Sequence, residues 1–267
     1  MGASKKMIDS HCHIIDTPAT LTLLQQVETS KLIVMGTKLA DWTKVSAIYY
    51  IYPSRIIPSF GIHPWFATSD SHLDIALITQ KLEENLRNMP DAIVGEIGMD
   101  GVAKDSRGII HDIALQFRIF QIQMQIAAKM SRPVSVHCVQ WHGKMFDYFR
   151  SLNSEPLSSC PPSIMMHSFS GSVEIMQALC RLVNIGTRFY FSFSMLVNSR
   201  SMKFAKLIAE APEDKILLES DCHDVTNVDD HMLAVLKAVS HIRLQTFEYL
   251  QQKITLNTTE FLGIGFT

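Results

Sequence analysis

Seven side chains of the kind that bind metals stand near the ends of short apolar runs. They are His11 and His13 in DSHCH, His63 in GIHPW, Glu96 in VGEIGMD, His137 in VSVHC, His167 in MMHS and Asp221 in LLESDC. In an extended strand, residues i and i+2 point to the same side, so His11 and His13 aim both imidazoles one way. Any one of these residues alone reads more naturally as a satisfied polar group at a strand end. The set reads differently, because buried acids are costly unless paired or metal-bound. Imidazole combined with carboxylate suits zinc, manganese, iron and similar divalent ions. Cys12, Cys138 and Cys222 each follow one of these residues directly. On strands they point the opposite way, into the helix layer, and read as small core residues rather than nucleophiles.

The elements that must position this set are legible as a rhythm. Apolar, β-branched runs at 7–12, 32–36, 56–61, 92–97, 133–138, 163–168, 188–193 and 215–220 read as strands. Segments with apolar residues at i, i+3 and i+4 lie between them, over 72–89, 112–130, 172–183, 200–210, 228–241 and 245–253. The final LNTTEFLGIGFT reads as a closing helix and tail. Near-continuous apolar strands separated by helices predict a parallel sheet covered on both faces. Eight such units in 267 residues predict a single (β/α)8 TIM barrel spanning 1–267. Barrel chemistry sits at the C-terminal ends of the strands, which is where these residues fall. An open doubly wound sheet is the alternative, and the Gly-rich turn of its dinucleotide-binding form is missing after the first run.

Composition narrows the classes. With 47% hydrophobic and 19% charged residues the chain can bury a large core and is not of disordered composition. No apolar run reaches the roughly 18 residues of a membrane span, and the start, MGASKK, resembles neither a secretory signal nor a myristoylation site. The five cysteines show no CxxC spacing, which predicts reduced thiols and a cytoplasmic or nuclear location rather than secretion. The net charge of −2 argues against tight non-specific DNA binding.

Taken together, DSHCH, GIHPW, GEIGMD, VSVHC, MHSFSG and LLESDC resemble the motifs of the TatD family of metal-dependent hydrolases. ALQFRIFQIQMQIAAKM resembles the family's segment before strand five. The resemblance covers residues 7 to 224. It implies a TIM barrel with two divalent metal ions (zinc, magnesium or manganese) and phosphodiester hydrolysis by a metal-activated water, with DNA as the usual substrate. It further implies that His11, His13 and Asp221 hold the first ion, that His137 and His167 hold the second, and that Glu96 bridges both. Asp221 would steer or deprotonate the water, and His63 would stand near the phosphate, beside the metals rather than on them. Trp65, Ser170 and His223 are candidates for substrate contact, and the backbone of Phe169, Ser170 and Gly171 for N–H donors. Departures from the family pattern lie on the rim. Cys222, His223 and Asp224 stand where Ser-Pro is usual, Gly101 replaces an aromatic residue, and an acidic NVDDHM replaces an Arg-Asn segment. Two other readings therefore stay open: the same metal chemistry on a small ester, amide or phosphate, and a partner-binding barrel of little activity.

Overall fold

A computed structural model describes residues 7–15, 20–68, 74–104 and 108–263. The initial MGASKK, the first two residues of the helix expected from 72 and the tail from 264 lie outside these. Eight strands form one sheet in sequence order: β1 (Ile8–Cys12), β2 (Lys31–Gly36), β3 (Ile56–Phe60), β4 (Ile93–Asp100), β5 (Val134–Val139), β6 (Ile164–Met166), β7 (Phe189–Phe193) and β8 (Ile216–Leu218). Every neighbouring pair from β1 to β8 runs parallel. Among the described residues no ladder joins β8 back to β1. The seam is closed instead by Asp221 N donating to His11 O (3.0 Å), His13 N to Cys222 O (2.8 Å) and Ser10 Oγ to Leu218 O (2.8 Å). The (β/α)8 barrel is thus present, and the open sheet is excluded.

Helices wrap the strands: α1 (Thr20–Leu23), α2 (Leu39–Ile51), α3 (Ile75–Asn88), α4 (Ile113–Lys129), α5 (His142–Leu152), α6 (Val173–Cys180), α7 (Met195–Asn198), α8 (Phe204–Glu210), α9 (Val228–Arg243) and α10 (Phe247–Leu262). Asp74 and Asp112 start α3 and α4 by accepting backbone N–H bonds from the first turn. α3 buries Ile78, Leu82 and Leu86, a four-residue spacing that keeps one face on the sheet. Inside the barrel, Ile8, Ile33, Met35, Ile57, Ile93, Met165, Tyr190 and Leu217 pack together. Phe261, fully buried near the end of α10, joins them. The segment 245–253 and the closing helix are therefore one continuous element.

Two strands break their alternation. Pairing of β1 with β2 shifts register between Asp9 and Cys12, and pairing of β4 with β5 shifts between Val94 and Ile97. Ile8 and Ile93 belong to the interior cluster, whereas Cys12, Val94 and Ile97 belong to the layer between strands and helices. A strict two-residue period would therefore send His11 and Glu96 outward, since each lies an odd number of residues from its inward-facing neighbour. One irregularity per strand flips the phase and brings both into the mouth.

Candidate metal centre

Glu96, 2% exposed, stands at the middle of the C-terminal mouth. Its Oε2 lies 3.5 Å from His11 Nε2 and 3.4 Å from His13 Nε2. Its Oε1 lies 2.9 Å from His137 Nδ1, 3.3 Å from His63 Nε2 and 3.6 Å from His167 Nε2. Asp221 Oδ1 is 3.5 Å from His13 Nε2 and 3.9 Å from His11 Nε2. The rings of His11 and His167 stack at 3.6 Å. All seven residues singled out in the sequence thus gather in one place, on a backbone turned by φ of +54° at Asp221 and +38° at Ser168, beside His167.

The outer nitrogens of these rings indicate which way each imidazole faces. His167 Nδ1 lies 2.9 Å from Glu219 Oε1, His137 Nε2 lies 3.2 Å from Asp100 Oδ2, and His11 Nδ1 lies 2.9 Å from Ser135 Oγ. The carboxylates beside His167 and His137 can only accept, which fixes those tautomers and directs the inner nitrogens at the centre, as metal-binding imidazoles require, while the Ser135 hydroxyl orients the His11 ring. His63 is arranged in reverse. Its Nδ1 accepts the backbone N–H of Trp65 at 3.1 Å, so in the neutral ring the proton sits on Nε2 and points at Glu96. In the neutral ring His63 therefore faces Glu96 with an N–H rather than a lone pair.

The electrostatics favour positive charge in the middle. Burial pushes His63 down to about 4 and lowers His11 as well. Burial also opposes charge on His167, but Glu219, Glu96 and Asp221 outweigh it and raise the ring to about 10. His13 and His137 are raised in the same way, the first by Asp221 and Glu96, the second by Asp100 and Glu96. Burial works against ionisation of both central carboxylates, but the imidazoles outweigh it. They hold Glu96 well below its ordinary value and Asp221 down at about 2. His11 Nε2 and His13 Nε2 approach to 3.1 Å, too close for a proton on each. Divalent cations satisfy this donor set: they accept the lone pairs, neutralise the carboxylates and take the place of the protons on the raised rings.

Several supporting residues carried no reading in the sequence. Asp100, Glu219 and Ser135 hold the imidazoles as above. Glu219 is itself fixed by Ser168 N at 2.9 Å and by the hydroxyls of Ser168 and Ser192. Asp9 accepts from the backbone N–H of His11 and Ser220 and from the Ser220 hydroxyl, pinning the strand ends that carry His11 and Asp221. The two glutamines of the α4 segment clasp backbone. Gln116 exchanges two bonds with Asp100 (2.8 and 3.2 Å), and Gln123 exchanges two with Ile62, next to His63 (2.7 and 3.2 Å). The motif was visible in the sequence, but what the amides held was not.

The cavity above the cluster has a volume of about 330 Å³. Trp65, Ser170 and His223 line it, with Lys38, Phe66 and Val197. The His223 ring stacks on His13 at 4.9 Å. Cys12 and Cys222 pack into the outer layer as expected. Cys138 does too but also borders the cavity, and burial pushes its thiol up to about 12. One expectation is corrected. The Phe169 N–H is not available as a donor, because it bonds Ser192 O at 3.0 Å in continuation of the β6–β7 ladder. The Gly101 replacement has a structural counterpart: a Cβ at this position would lie 2.5 Å from Trp141 Nε1, so the Trp141 indole fills the space.

Comparison with known proteins agrees with this geometry. The family model described as TatD related DNase matches residues 8–263. The Cut9-interacting protein scn1 of Schizosaccharomyces pombe is 31% identical, the alignment covering 97% of this chain and 99% of that protein. A protein named 3'-5' ssDNA/RNA exonuclease TatD, from Edwardsiella piscicida, is 25% identical over 77% of this chain and 73% of its own. The crystal structure of a TatD homologue from Escherichia coli K12 superposes with a TM-score of 0.76 at 22% identity, covering 97% of this chain and 98% of that one.

Proposed function

The chain belongs to the TatD family of metal-dependent hydrolases, and from that premise we propose that it hydrolyses phosphodiester bonds of DNA. The observation that carries this reading is the convergence of His11, His13, His137 and His167 on Glu96, with outer nitrogens anchored on Asp100, Glu219 and Ser135. Two divalent ions are the proposed cofactors. His11, His13 and Asp221 would hold one, His137 and His167 the other, with Glu96 shared. When bound, such ions polarise the phosphoryl group and make a water acidic enough to lose its proton near neutral pH.

The chain's own residues supply the rest. Asp221, ionised down to about pH 2, accepts and orients the attacking water's proton at Oδ1. His63, neutral through burial, keeps its Nε2–H and donates a hydrogen bond from it to a phosphoryl oxygen that takes the place of the Glu96 oxygen it faces here. Ser170 and His223 line the cavity and meet the substrate, with Trp65 at the rim. All five cysteines are free thiols, which supports a reducing compartment such as the cytoplasm or nucleus. No helix among the described residues is long and apolar enough to cross a membrane.

The test is cleavage of single- and double-stranded oligodeoxynucleotides, assayed with added metal and after chelation, beside generic carboxylic esters. Cleavage of DNA alone, lost on chelation and in Glu96→Ala, supports the reading. Ester hydrolysis without DNA cleavage moves the activity to another substrate, and activity that survives Glu96→Ala rejects the site. Elemental analysis of the metal-loaded protein should give about two equivalents.

A further inference from the structure

Trp65 is 55% exposed on the cavity rim, an unusual place for a residue with so much apolar surface. Its backbone and side chain are nonetheless both tied down. The backbone N–H donates to His63 Nδ1 at 3.1 Å, and the indole N–H donates to Asp100 Oδ2 at 2.7 Å. Asp100 is 3% exposed and lies at the end of β4. Its Oδ1 accepts from the backbone of Val102 (2.9 Å) and Ala103 (3.0 Å), and Gln116 clasps its main chain. The oxygen that holds the indole is the same one that lies 3.2 Å from His137 Nε2. One carboxylate therefore sets both a ring at the reacting centre and a flat aromatic face at the rim. Trp65 stands edge-on to His63, at 5.1 Å and 86°.

Resting on the DNA-hydrolysing reading above, we propose that Trp65 is a stacking platform for a nucleobase next to the reacting phosphate, and that Asp100 is the positioning residue that locks this platform in register with His137. A ring held by its N–H cannot swing away from the mouth, so a base laid on it meets a preformed surface and loses less freedom on binding. Every base presents a π-face, so the platform is sequence-tolerant and reads the presence of a base rather than its identity.

The experiment compares oligodeoxythymidylate with the same oligomer carrying a base-free tetrahydrofuran residue in place of each terminal thymidine. Steady-state kinetics are measured on the metal-loaded protein. The wild type should favour the base-bearing oligomer by about 5- to 100-fold in kcat/KM, through KM. Trp65→Leu should erase that ratio, losing more on the base-bearing oligomer than on the base-free one, and Trp65→Phe, which keeps a ring, should retain part of it. Asp100→Asn turns the shared oxygen into a donor facing the indole N–H. It should lower kcat on both oligomers through His137 and shrink the ratio as well. Equal losses on both oligomers in Trp65→Leu, or no loss on either, overturns the platform. A ratio untouched by Asp100→Asn overturns the positioning role. If the metal-loaded wild type cleaves neither oligomer, the DNA reading itself fails and takes the platform with it.

Discussion

Four of the histidines at the centre differ from ordinary buried imidazoles in what their far nitrogens and neighbours do. Glu219 is the clearest case. It is wholly buried, it sits 2.9 Å from His167 Nδ1, and its charge is the largest influence raising that ring above its ordinary value. Glu219→Gln keeps the shape and removes the charge. Metal affinity should fall about 10- to 100-fold, as is typical when the partner of a metal-binding histidine is changed. Calorimetric titration of the chelated protein with zinc or manganese checks this, and unchanged affinity would remove Glu219 from the supporting shell. Asp100 and Glu219 escaped the sequence reading for a physical reason. A single acid at a strand end has the same local sequence whether it meets a metal, a histidine or water, and only the packing of distant strands tells these apart. His11, His13, Glu96, His137, His167 and Asp221 were legible because their residue types recur near or just past the ends of β1, β4, β5, β6 and β8, a pattern that no single position shows.

At the scale of elements, the strands were readable because a parallel barrel strand is apolar on both faces. β6 and β8 end earlier than expected, at Met166 and Leu218, because the residues that follow leave the ladder to serve the site. α2 and α5 were missed. Neither start carries a side-chain cap, and LADWTKVSAIYYI mixes β-branched and aromatic residues that weaken a helical signal. The register shifts in β1 and β4 have no composition of their own and were invisible. They nevertheless decide the phase in which His11 and Glu96 face. Gly98, at φ +147°, lies where β4 crosses His137, and a Cβ there would sit 2.0 Å from the His137 carbonyl oxygen. Gly98→Ala should therefore push β4 and β5 apart and lower metal occupancy, read by elemental analysis as clearly fewer equivalents than the wild type holds, in otherwise folded protein. Gln123→Leu leaves the Ile62 backbone N–H and C=O unpaired and should cost about 2–6 kcal/mol in urea unfolding, from about 1–3 kcal/mol for each buried group left unsatisfied.

For the whole molecule, the two ends of the barrel are stabilised by different means. The lower end is apolar and is closed by Phe261, whose ring packs on Tyr190 at 5.6 Å. Phe261→Ala should cost about 3–5 kcal/mol in a denaturant titration without changing metal stoichiometry. The upper end is a cluster of charges whose stability depends on pH and on metal. In chelated protein, His167 is raised to about 10, and His13 and His137 are raised in the same direction. A group raised on folding contributes fully below its unfolded value, about 6.5, and loses that contribution as pH climbs through the folded value. The melting temperature of chelated protein should thus fall between about pH 6.5 and 10. The rise produced by added metal should grow over the same window, because protons no longer compete for the rings. A flat profile in chelated protein would mean that these rings titrate normally.

The seam between β8 and β1 is held by Asp221 N to His11 O and His13 N to Cys222 O, residues that also line the centre. A polypeptide emerging from the ribosome therefore has its first imidazoles long before their carboxylate partner from the far end of the chain. A fragment that ends before β8 lacks both Asp221 and the seam, so the cluster around Glu96 is complete only once the last strand has been made.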